Sequence, residues 1–197
     1  MKIQDQLSII IGIIVMKLVI LASVFFLSLE IEYMNYKHIL AGFCDLTIIL
    51  FLYKFVKLDK QQNVSVIPYV MITMLTLWFV IIKLSFMQNN LNAGIAMSNI
   101  MYNQMLSHVI PSFIIIVAEL LMSIQLINNK TEDSSRYSIK FVGYSFLFMI
   151  AQFVLFPIVI QFEIAWFMTL VKILTTLPLL AMIYMYGLEL NRMRTAP

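Results

Sequence analysis

Lys17, Asp45, Lys83, Glu119 and Lys172 each interrupt a run of apolar residues, and His108 stands near the edge of another. A charged side chain at the centre of a bilayer costs about 2.5–3.5 kcal/mol on insertion scales, so such residues face a bundle interior or a cavity. Two constellations follow from their spacing. Lys17 and Glu119 lie about 18 and 21 Å below the outer ends of their spans at the rise of an α-helix, opposite in charge and level. They are expected to form an intramembrane ion pair between the first and fourth spans. That pair reads either as a clamp on helix register or as a proton or ion relay.

The second constellation is expected nearer the outer surface. Asp45 and Cys44 fall one to two turns inside span two, His108 one turn inside span four, and Lys83 one turn from the outer end of span three. A carboxylate orienting an imidazole beside a hydroxyl or thiol is the arrangement of nucleophilic catalysis. Thr47 and Cys44 are the available nucleophiles, on different sides of one helix, so at most one faces His108. The plainer reading is an interfacial histidine beside a cysteine that packs as a small hydrophobe. Lys172 has no evident partner.

The elements that position these residues follow from composition. The chain has 197 residues, 62% hydrophobic and 12% charged, against about 45–50% apolar and 25% charged in soluble domains. This excludes a soluble enzyme, a disordered chain and a disulfide scaffold, which one Cys cannot supply. A net charge of +3 is too small to imply nucleic acid. No metal or cofactor is implied: HExxH, GxSG, Walker and CxxC patterns are all missing.

Six stretches have the roughly 20 apolar residues a crossing needs: Leu7–Leu29, Ile39–Leu58, Val66–Met87, Met105–Ile127, Ile139–Gln161 and Ile164–Gly187. The expected fold is all-α, one polytopic domain of six transmembrane helices with short loops. The first run is too long for a signal-peptide core and reads as a retained helix. Lys2, Lys54, Lys57, Lys60, Lys130, Arg136, Lys140, Arg192 and Arg194 share one side, against Lys37 on the other, so both termini are expected to be cytoplasmic. The sequons at Asn63 and Asn129 then go unused. The uncharged loop Gln88–Gln104, with five Asn, reads as solvated chain or as a re-entrant lid for an amphiphile.

The order of landmarks adds a resemblance. Asp45 in span two, Pro68 and Trp78 in span three, His108-Val109-Ile110-Pro111 in span four and Tyr186-Gly187-Leu188-Glu189-Leu190-Asn191 in span six resemble the androgen-induced/androgen-dependent six-helix membrane protein family. Its members look like intramembrane threonine hydrolases that cleave fatty acid esters of hydroxy fatty acids. The resemblance spans nearly the whole chain. It departs at two positions: the family's nucleophilic Thr falls where this chain has Gly42, and its His falls near Leu106.

The function expected from these features is an amphiphile-accepting cavity in the membrane, with hydrolysis of a lipid ester as its most concrete chemistry. His108 would be the base, Asp45 its orienter, and Thr47 or Cys44 the nucleophile. The alternatives are a non-enzymatic transport or substrate-binding subunit, such as one that captures a vitamin, and a structural partner in which Lys17 and Glu119 only clamp the fold.

Overall fold

In the computed structural model, residues 3–26, 31–61, 63–89, 110–128, 135–161 and 173–195 are described. They form six helices: α1 (Ile3–Phe26), α2 (Ile31–Lys54), α3 (Ile67–Asn89), α4 (Ile110–Ile127), α5 (Ser135–Gln161) and α6 (Leu177–Thr195). A single π turn, Phe55–Asp59, extends α2 and closes with a bond from the Lys60 amide to the Phe55 carbonyl. Pro68, Pro111 and Pro178 each stand second in their helix, where the missing N–H breaks no ladder. Ser65 Oγ accepts from the Ile67 amide at the start of α3.

Each helix packs against the next in sequence, and α6 returns to pack against α1. The result is a closed ring of helices rather than a layered stack. Apolar side chains cover its exterior on every member, including Val19, Leu50, Met74, Phe113, Phe148 and Leu180. An exterior of this kind has no place in water, where large contiguous apolar patches are rare. Ile3–Ser23, Tyr36–Lys57 and Ile110–Ile127 are long and apolar enough to cross a membrane, with Ile67–Ile82 a shorter apolar segment. The hydroxyls of Thr47, Thr73, Thr76 and Ser123 donate to carbonyls four residues back, which hides their polarity within their own helices.

Small residues set the closest approaches, as in membrane bundles generally. A Cβ on Gly143 of α5 would lie 2.8 Å from Ile127 Cγ1 and 3.0 Å from the Ser123 carbonyl oxygen of α4. A Cβ on Gly42 of α2 would lie 2.5 Å from Val80 Cγ2 of α3.

One end of the ring is filled. It carries the start of α1, the end of α2, the start of α3 and the end of α6. Tyr186 of α6 meets Phe51 and Phe55 edge-on, with ring centroids 5.5 and 5.3 Å away. Tyr53 packs on Tyr69 at 5.0 Å. Below them Lys60 Nζ donates to Glu189 Oε1 at 2.6 Å, Arg192 approaches the other Glu189 oxygen at 3.5 Å, and Lys54 donates to Gln6.

The main departure from the expected spans is at α2. It was expected to begin at Ile39 after a loop from Glu30 to His38, yet it is helical from Ile31. Glu32, Asn35, Lys37 and His38 carry the helix past the apolar run, where hydropathy gives no signal.

Candidate functional site

The longer α2 changes the depth of Asp45. Measured from Ile39 it would sit about 9 Å inside the helix; measured from Ile31 it sits about 21 Å inside, at mid-helix. Lys17 is also near the middle of its helix, and α1 packs directly on α2. Lys17 Nζ therefore bonds to Asp45 Oδ1. This corrects the expected Lys17–Glu119 ion pair: the partner of Lys17 is the carboxylate on the adjacent helix. With side chains 14% and 35% exposed, both groups face a space rather than packed core.

That space is a cavity of about 490 Å³ in the half of the ring away from the aromatic floor. All six chain segments of the ring contribute to its wall. The α2 stripe is His38, Ala41, Gly42, Asp45, Ile48 and Ile49, a spacing that keeps one face of a helix. Lys17 and Leu21 come from α1, and Ile72, Thr76, Phe79 and Val80 from α3. Ile115 and Glu119 come from α4, Phe146 and Met149 from α5, and Thr175, Pro178, Leu179 and Met182 from α6 and the turn before it. Glu119 thus shares the cavity with the Lys17–Asp45 pair without joining it. Among the described residues no cation lies within salt-bridge distance of its carboxylate.

Of the expected catalytic group, Asp45 alone among the described residues lines this cavity. Thr47 lies two residues beyond Asp45, about 200° around the helix. Its side chain is exposed on the exterior and its hydroxyl donates to the Phe43 carbonyl. Cys44 is buried among apolar core residues and does not line the cavity. Asp45 does line it, bonded to Lys17 rather than positioned against an imidazole. His108, Lys172, the Lys83 side chain and most of the Gln88–Gln104 loop lie outside the described residues.

Thr76 and Thr175 are polar residues of the wall that the sequence did not single out, and His38 is one that the sequence sets aside as a loop residue. The signal for His38 was present: it stands seven residues before Asp45, two turns up the same helical face. Assigning the residues before Ile39 to a loop hid it.

The electrostatics are simple to state. One ammonium and two carboxylates face a mostly apolar wall that also carries Thr76, Thr175 and His38, the last about two turns from Asp45 along α2. The Lys17–Asp45 pair is internally balanced, and the Glu119 carboxyl is not. Low local polarity makes a lone charge costly, and a carboxyl in such a place is relieved either by a proton or by a facing cation.

No protein-family model, curated protein or solved structure matches this chain.

Proposed function

We propose that the chain is an integral membrane protein of six spans whose cavity binds a small amphiphilic molecule, as a transport or substrate-binding unit. One observation carries this reading: ionisable groups from α1, α2 and α4 line a single, mostly apolar cavity of about 490 Å³. That size falls within the range of about 300–1,000 Å³ of small-molecule pockets, which pair apolar walls with a few placed polar groups. Thr47 and Cys44 stand outside the lining, which favours binding over hydrolysis of a lipid ester.

The filled end carries Lys54, Lys57, Lys60, Arg192 and Arg194, so on charge bias it is the cytoplasmic end, with both termini there. The cavity then lies in the outer half of the bilayer. Glycan attached at Asn63 in a glycosylating host would contradict this orientation.

Native mass spectrometry of the detergent-purified protein tests the binding reading. The wild type should carry a small-molecule adduct, and Ala41→Phe, which fills the wall beside Gly42, should lose it. A protein that is adduct-free in every extraction condition, or an adduct indifferent to Ala41→Phe, would count against it.

A further inference from the structure

From the charges in the cavity we infer that its ligand is an organic cation, an apolar body carrying a protonated amine, with Glu119 as its counter-ion. This deepens the reading of the cavity as a binding site and rests on it.

Three ligand classes are possible on charge, and the wall treats them differently. An anion met by His38 would need that imidazole protonated, and one met by Lys17 would have to take it from Asp45. Releasing it would leave Asp45 and Glu119 both without a cation in an apolar surrounding, the costly outcome for buried charge. A neutral amphiphile would fill the apolar wall with Glu119 held as the neutral acid, and would draw no charged contact from it. A cation needs no group to move. It places its charge on Glu119 while Lys17 and Asp45 stay paired, and Thr76 and Phe146 on α3 and α5 border the same space.

The remaining wall fits the rest of such a molecule. Ile115, Phe79, Met149 and Met182 supply apolar and polarizable surface in the same cavity, and an aromatic ring near an ammonium adds attraction of its own. The cation is recognised by one charged contact and held by burial of its body.

The test uses three probes that differ only in the head: phenylbutylamine, phenylbutanol and phenylbutyrate. Binding is measured by equilibrium dialysis against the full chain in lipid nanodiscs, with empty nanodiscs subtracting partition into lipid. The amine should bind saturably and at least about tenfold more tightly than the alcohol, as a charge-assisted contact implies. The carboxylate should bind weakest. Glu119→Gln should bring the amine to the level of the alcohol and leave the alcohol unchanged, while Glu119→Asp keeps the amine ahead.

Equal binding of amine and alcohol, tighter binding of the carboxylate, or a preference that survives Glu119→Gln would overturn the inference while leaving a binding cavity in place. A wild-type ranking in which the amine is not first overturns the inference even where a Glu119 variant fails to fold. Absence of saturable binding by all three probes also overturns it. The broader reading falls only if, in addition, no adduct sensitive to Ala41→Phe is found.

Discussion

Lys17 on α1 and Asp45 on α2 bond across the wall of a cavity that Glu119 of α4 also lines. The pair is a contact between neighbours in the ring, and it leaves the carboxylate on the third helix to face the cavity without a described cation. Structure and proposed function both follow from this arrangement.

Losing Lys17 leaves Asp45 without its cation, and losing Asp45 breaks the Lys17 bond and leaves that ammonium only Glu119 across the cavity. Lys17→Met and Asp45→Leu should each destabilise the protein by about 1.5–3 kcal/mol, the range for a hydrogen bond to a charged group. The double variant should cost less than the sum of the two, because it removes both charges. Thermal unfolding in detergent, arranged as a double-mutant cycle, reads this. A cycle built on Lys17 and Glu119 should show the smaller coupling.

Helix packing gives a matched pair of glycine substitutions. Gly143→Ala places a Cβ against the Ser123 carbonyl and the Leu126 and Ile127 side chains, and a backbone oxygen has little room to give. The expected cost is about 1–3 kcal/mol, as for overpacking elsewhere. Gly187→Ala meets nothing within 4 Å on α6. It should be neutral or stabilise by up to about 1 kcal/mol, since Ala is the better helix former. Comparing the two melting temperatures checks the α4–α5 crossing independently of the cavity.

The aromatic floor gives a third prediction. Tyr69 is 1% exposed, and its hydroxyl has no hydrogen-bond partner among the described residues. Removing an unsatisfied buried hydroxyl relieves a desolvation cost, so Tyr69→Phe should match or exceed the wild type in stability by up to about 1 kcal/mol. Tyr69→Ala should instead lose about 3–5 kcal/mol through the cavity it leaves against Tyr53. A destabilised Tyr69→Phe protein would mean that the hydroxyl has a partner.

The sequence made the helical fold and the charged residues legible, and it missed the pairing. Apolar runs mark the helices because burial in lipid leaves no other composition, and α3 and α5 fall close to the expected spans. The start of α2 was illegible, since a helix that continues through Glu32, Asn35 and Lys37 leaves the apolar pattern without ending. Eight residues of error there moved Asp45 from the outer layer to mid-helix and took Lys17 from Glu119 to Asp45. Residue type also singled out Thr47 and Cys44, and only rotation about α2 shows that they turn away from the cavity. Gly42 lines the wall at the α2–α3 approach.

Cysteine accessibility tests the central claim, one cavity lined by the Glu119 face of α4, most directly. In a Cys44→Ser background, single cysteines at Thr76, Ile115 and Met149, which leave Glu119 in place, should react with a small cationic thiosulfonate and be protected by phenylbutylamine. A cysteine at Met122, which is fully buried one turn below Glu119, should stay unreactive. Protection at the first three positions with silence at Met122 is the predicted result. Silence at Thr76 and Ile115, or equal reactivity at Met122, would contradict the cavity.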